Sequence, residues 1–162
     1  MTTIAIDPHG VHIAADGLIT AGGAIEHRDE QKIRVVKGKK GDKSIYVLAG
    51  TTCMFDALIK WHQDGADAGK LPPAADARWS LVVIDAKGPR HYGHLAAYPE
   101  RITYPYTVGT GYEYAMGALK AGASAQRAVE IACEIDIHSG GEIQVVNIKE
   151  ALGMAPRLVE TA

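Results

Sequence analysis

Cysteine is scarce: Cys53 and Cys133 are the two in 162 residues, and they stand far apart. That argues against a disulfide framework. Both read as small buried hydrophobes, and a reducing compartment, the cytoplasm, is expected. Long apolar runs are also missing. No stretch approaches the roughly 18 to 20 residues that a membrane-spanning helix needs. No charged segment leads into an apolar one near the start, so no secretory leader is expected. An excess of positive charge is absent too: 17 Lys and Arg stand against 19 Asp and Glu, a formal charge of -2. Neither nucleic acid nor an anionic membrane is indicated as a partner. The longest basic run, Lys37 to Lys40, sits like a hairpin tip. No internal repeat, low-complexity segment or domain boundary is visible.

Several motifs begin and then fail. Gly109-Thr110-Gly111 opens like a dinucleotide fingerprint, but Tyr114 stands where its third glycine belongs. No phosphate-binding Walker loop occurs. Gly122 to Gln126 lacks the closing glycine of a nucleophile elbow. His91 and His94 are three apart, which on a strand points them to opposite faces and away from a shared metal.

What is present is enough for one ordinary domain. A chain of this length buries about two-thirds of its unfolded surface without staples. Residues 2–7 and 11–16 read as a strand, a turn at Pro8-His9-Gly10 and a returning strand. Residues 18–27 read as a second hairpin with Gly22-Gly23 at its tip. Gln31 to Val36 alternates, and Ser44 to Gly50 is another strand, so the first third is expected to form an antiparallel meander. A helix follows, with Met54, Leu58 and Trp61 on one stripe and Phe55 and Ile59 beside it. It stops near Gly65. A connector is expected next, with one helical turn after Pro73. Residues 80–95 read as a strand, a Lys87-Gly88 turn and a strand. Two helices then follow, the first ending at Gly122 and the second capped by Ser124. A strand closes the domain at residues 142–148, and residues 149–162 are expected to be a tail. Strands, helix, strands, two helices, strand is an α+β order, suited to two antiparallel sheets between helical layers.

The chemistry starts with Thr2. A threonine hydroxyl is a weak nucleophile unless a base takes its proton. With Met1 removed, the residue's own α-amine is that base, its ordinary pKa of about 7.7–8.0 leaving a neutral fraction near pH 7. Asp136 is a second pointer. Ala125, Ala128, Val129, Ala132 and Cys133 form the apolar stripe of the last long helix, and Asp136 continues it inward. A carboxylate brought inside needs partners, because bare burial costs several kcal/mol.

Taken in order, the N-terminal Thr2-Thr3 strand, Ala14-Ala15-Asp16-Gly17, Gln31-Lys32-Ile33, Leu48-Ala49-Gly50 ahead of a helix, Gly109-Thr110-Gly111 ahead of another and Asp136 to Gly141 resemble the proteasome β-subunit family of N-terminal-nucleophile (Ntn) hydrolases. The late helix also resembles the HslV-type peptidase, and the resemblance covers most of residues 2–148. It implies a four-layer αββα sandwich and a threonine peptidase. Thr2 would be nucleophile and base, Lys32 the neighbouring ammonium and Asp16 its partner. Asp136 and Ser139 would hold the Thr2 amine, and Thr110 would keep the hydroxyl of the family's serine. The Gly50 amide would face the oxyanion. Thr20 would bind substrate backbone, and Leu48 and Thr52 would line the specificity pocket. No cofactor is required. A structural Na⁺ or Mg²⁺ on the carbonyls of Cys133, Asp136 and Ser139 is consistent with the HslV type. Stacked homo-oligomeric rings, an ATP-driven unfoldase and peptide or unfolded protein substrates are the implied partners. Two alternatives stay open: a silent ring-forming scaffold, and an Ntn hydrolase of a small amide. The chain departs from the family in one respect. Residues 62–79 leave no room for its long second helix.

Overall fold

The structure is a computed structural model, and it describes residues 2–70, 78–94 and 96–154. The chain runs β1 (Thr3–Ile6), β2 (His12–Asp16), β3 (Ile19–Ala21), β4 (Ala24–His27), β5 (Ile33–Lys37), β6 (Lys43–Gly50), a 3-10 turn (Thr52–Met54) and α1 (Phe55–Gln63). A second 3-10 turn (Ala68–Lys70) is followed by β7 (Trp79–Asp85), β8 (Gly88–Gly93), β9 (Ala96–Arg101) and β10 (Tyr106–Gly109). Then come α2 (Tyr112–Lys120), α3 (Ala125–Ile135), β11 (Ile143–Asn147) and α4 (Ile148–Leu152). The helical turn expected after Pro73 lies outside the described residues.

One sheet has the order β10-β1-β2-β11 and the other β5-β6-β7-β8-β9, with antiparallel neighbours throughout. Strand alternation assigns the layers. Ile4, Ile6, Ile13 and Ala15 of the first sheet meet Ile45, Val47, Ala49, Val82 and Ile84 of the second in a shared core. Ala5 and Ala14 point the other way, onto Ala115, Leu119, Ala128 and Ala132 of α2 and α3. Tyr46, Leu48, Leu81 and Val83 point away from the shared core, onto Phe55, Leu58 and Trp61 of α1. The result is an α+β, four-layer αββα sandwich. Alanine dominates the contact with α3 because small side chains let a helix sit close to a sheet.

The hairpin at Gly22-Gly23 forms as expected, and both glycines have φ in the left-handed region (56° and 83°) that a two-residue turn of this kind requires. The meander does not. β1 and β2 belong to one sheet, β5 and β6 to the other, and β3-β4 stands apart as a two-stranded ribbon. Local pattern gives strands, but which strands pair is decided by the core they bury. Two strands escaped the sequence reading. β9 carries Pro99 inside it, tolerated because β9 is an edge strand. β10 is short, yet it pairs along the whole of β1, with Thr3 opposite Gly109. At the far end, α4 crosses the boundary expected at residue 148. Asn147 ends the strand and caps the helix at once, its side chain accepting from the Glu150 N–H at 3.1 Å.

Candidate active site

Thr2 lies immediately ahead of β1 and is 1 % exposed. Its Oγ1 is buried and has no hydrogen-bond partner among the described residues, whereas a buried hydroxyl normally has one. Two glycines allow the chain to pack this tightly. A Cβ on Gly109 (φ +101°) would come within 2.0 Å of the Thr2 carbonyl oxygen, and one on Gly111 within 2.0 Å of Thr3 Oγ1. Only a residue without a side chain fits at either place.

Asp16 ends β2 with no exposed surface. Its Oδ1 accepts from the Thr3 N–H at 2.8 Å and from the Lys32 ammonium at 3.1 Å. Its Oδ2 accepts from the Gly140 N–H at 3.0 Å and the Leu18 N–H at 3.3 Å. Lys32 Nζ also donates to the Leu18 carbonyl at 2.9 Å. Lysine and aspartate are thus both removed from water with four donors converging on the carboxylate, the condition under which a buried pair is tolerated. Burial holds the Lys32 pKa below the ordinary lysine value, and Asp16 pulls it partly back.

The second carboxylate sits a few residues from Gly140. Asp136 is the C-cap of α3, its backbone already extended, so the helix ends one residue earlier than the stripe implied. It is nonetheless 9 % exposed, as the inward placement required. Its Oδ2 accepts from Ser139 Oγ and Thr110 Oγ1, both at 2.6 Å, and its Oδ1 from the His138 N–H at 3.1 Å. Burial opposes ionisation of Asp136, but these three donors outweigh it and hold its pKa below the usual carboxyl value. Each hydroxyl has a single proton. Ser139 gives its proton to Asp136, so Thr3 Oγ1 must be the donor across the 2.7 Å contact to Ser139 Oγ. The Ser139 side chain therefore meets Thr3, where the expectation was the Thr2 amine. Parity along β1 accounts for the difference, since the hydroxyl of Thr3 and the Ala5 side chain share the α3 face. Thr110 also faces the Thr2 carbonyl, 3.3 Å from its Oγ1.

A cavity of about 390 Å³ opens at Thr2 and is bordered by Gly50, Gly109 and Thr110. Gly50 ends β6 with φ +104°, and a Cβ there would lie 2.1 Å from the Arg78 carbonyl oxygen. The structure therefore brings Thr2, Gly50 and Thr110 to one cavity, with Asp16, Lys32, Asp136 and Ser139 in the buried network behind it. Leu48 is corrected. It is fully buried and faces α1, because it shares the parity of Tyr46 on β6. Thr20, half-buried in β3, and Thr52, in the 3-10 turn, do not line the cavity either. Arg78, Ser80 and His94 do, and none was expected. Their signal was invisible because the edges of β7 and β8 carry no motif. A larger depression of about 790 Å³ lies between the Lys37–Asp42 hairpin and α1, but no expected site residue borders it.

Cys133 is half-buried, and burial pushes its thiol up to about 12, which makes it inert. Among the described residues no cluster of His, Cys, Asp and Glu side chains could hold a metal, and no helix is long and apolar enough to cross a membrane.

No family model and no curated protein matches this sequence. Solved structures do. A eukaryotic HslV from Trypanosoma brucei superposes with a TM-score of 0.65 over 91 % of this chain and 99 % of its own, at 18 % identity. The chain has an HslV/proteasome-type fold. BPH from Thiobacillus denitrificans is similar, with a TM-score of 0.61 over 90 % of this chain. Its two structures cover 97 % of that chain at 20 % identity, in complex with epoxomicin, and 96 % at 22 % identity. Below a quarter identity, what these proteins share with this chain is the arrangement of layers.

Proposed function

We propose that this chain is the subunit of a proteasome-like threonine peptidase. The observation that carries the reading is the orphaned, buried Thr2 hydroxyl at the cavity that Gly50 borders. With Met1 removed, the Thr2 amine takes the proton from Oγ1 as the oxygen attacks a peptide carbonyl. The Gly50 N–H is the donor for the oxyanion, a contribution of about 3–4 kcal/mol to the barrier in such sites. The tetrahedral intermediate collapses as the protonated amine passes its proton to the leaving nitrogen. Water, activated by the same amine, then hydrolyses the Thr2 ester. Lys32 supplies the fixed positive charge beside this chemistry and Asp16 anchors it. Asp16 also takes the Thr3 N–H, so one carboxylate sets both the ammonium and the strand that carries the nucleophile. Asp136, Ser139 and Thr110 fix the other side through Thr3 Oγ1 and the Thr2 carbonyl.

Stacked homo-oligomeric rings, an ATP-driven unfoldase, a cytoplasmic setting and unfolded or peptide substrates complete the proposal by analogy with HslV. Thr20 and Thr52 are kept as contacts to substrate. The chemistry itself needs no metal. The carbonyls of Cys133, Asp136 and Ser139 are an all-oxygen set suited to a hard cation, Na⁺ or Mg²⁺. The Asp136 carbonyl already accepts the Ser139 N–H at 3.1 Å and keeps one lone pair for it.

Hydrolysis of fluorogenic peptides tests the reading. Activity is expected in the processed protein, lost in Thr2→Ala and partly kept in Thr2→Ser. Equal turnover by Thr2→Ala overturns it. Protein from its native host that keeps Met1 and cleaves nothing is instead a scaffold with this fold.

A further inference from the structure

We propose that the cavity beside Thr2 selects peptides with an acidic side chain next to the scissile bond, and that Arg78 is the residue that selects them. The proposal rests on the reading of Thr2 as nucleophile, since that reading makes the occupant of the cavity a neighbour of the bond cut.

Arg78 is fixed by its backbone. Its carbonyl accepts the Thr51 N–H at 2.9 Å and the Thr51 hydroxyl at 3.2 Å, and it lies against Gly50 so closely that no side chain fits between them. The guanidinium stem therefore starts from the wall that carries the oxyanion donor. His94 is brought to the same cavity by its N–H, which donates to the Trp79 carbonyl at 3.2 Å. Thr2, whose buried hydroxyl has no partner among the described residues, lines the same space. Arg34, Arg90 and Arg127 are each paired with carboxylates. Among the described residues no carboxylate pairs with Arg78, and none of those bordering the cavity is acidic. A guanidinium at the border of a largely apolar cavity is suited to a carboxylate, which it can grip with two parallel hydrogen bonds. Arg78 is exposed, so the preference is that of a partly solvated pair.

Glutamate and glutamine have the same shape, so a pair of peptides differing only in that residue reads charge alone. Two such pairs are needed, one for each position flanking the cut. At one of them kcat/KM is expected to favour glutamate about fivefold, equivalent to about 1 kcal/mol at about 1.4 kcal/mol per decade. The ratio should shrink as salt is raised. It should fall to near one in Arg78→Gln, recover partly in Arg78→Lys, and give way to a preference for lysine in Arg78→Glu. Equal cleavage of both pairs by the wild type, or an unchanged ratio in Arg78→Gln, overturns the proposal. Binding of the same peptides to Thr2→Ala, followed by fluorescence polarisation, separates it from the catalytic reading. If the wild type cleaves nothing but Thr2→Ala binds the glutamate peptide more tightly, the cavity assignment stands and the nucleophile fails. If both peptides bind equally, the cavity assignment fails whatever the enzyme does.

Discussion

Around α1, Leu48, Phe55, Leu58, Trp61 and Trp79 are buried because water is a poor solvent for them. Around Thr2, Thr3, Asp16, Lys32 and Ser139 are buried to the same depth although water is a good solvent for each. The first region stabilises the fold with every group it encloses. The second encloses an ammonium and two carboxylates, and what it gains in hydrogen bonds is largely offset by desolvation. A small domain does not accumulate such a network for stability. The contrast marks the region to which the proposed chemistry is assigned, and it can be broken or sharpened by substitution.

The largest effect is expected at the nucleophile: Thr2→Ala should remove peptide hydrolysis while leaving the circular-dichroism spectrum and urea midpoint nearly unchanged. Next comes the buried pair. Asp16→Ala strands the Lys32 ammonium and the Thr3 and Gly140 N–H groups, and should cost about 3–5 kcal/mol in urea unfolding. Replacing both partners, Asp16→Leu with Lys32→Met, should restore the part of that stability lost to the stranded ammonium and none of the activity. If the double variant is as unstable as the single one, the network is structural rather than functional. In the apolar region, Leu58→Ala should cost about 3 kcal/mol by leaving a cavity, with kcat per folded molecule unchanged.

Ser139→Ala should be milder, about 1–2 kcal/mol, and should show in the pH dependence of unfolding. Asp136 has a depressed pKa in the folded state, so it contributes stability above its ordinary value of 3.8 that is lost as pH falls through the lowered one. Without the Ser139 proton that pKa moves back up. The variant should therefore lose less stability than the wild type on acidification through this range.

Much of this was legible in the sequence because two physical patterns coincide there. Residues 44–50 are apolar without alternation, as a strand covered on both faces must be, and Ala125 to Cys133 carries one apolar stripe, as a helix covered on one face must. Asp136 could be singled out as a charge continuing an apolar stripe, whereas Asp16 and Lys32 carried no burial signal of their own and were marked only by the resemblance to the Ntn hydrolases. Sheet membership was not legible, since β1-β2 and β5-β6 read alike until the shared core separates them. The role of Thr3 was missed because a second threonine looks redundant until strand parity turns its hydroxyl toward Ser139. Leu48 was misread for the same reason in reverse: its place beside Gly50 in sequence hides that it faces α1. Arg78 and His94 gave no signal at all, because they reach the cavity only through the pairing of β6 with β7 and β7 with β8.

The alcohol and the free amine of Thr2 acting together are the centre of this account, and intact-mass spectrometry of the purified protein treated with a peptide epoxyketone reads both. The account predicts a chain lighter by one methionine that gains a single adduct, mapped to Thr2 and absent in Thr2→Ala. A processed chain that takes up no adduct, or takes it up equally in Thr2→Ala, would contradict it.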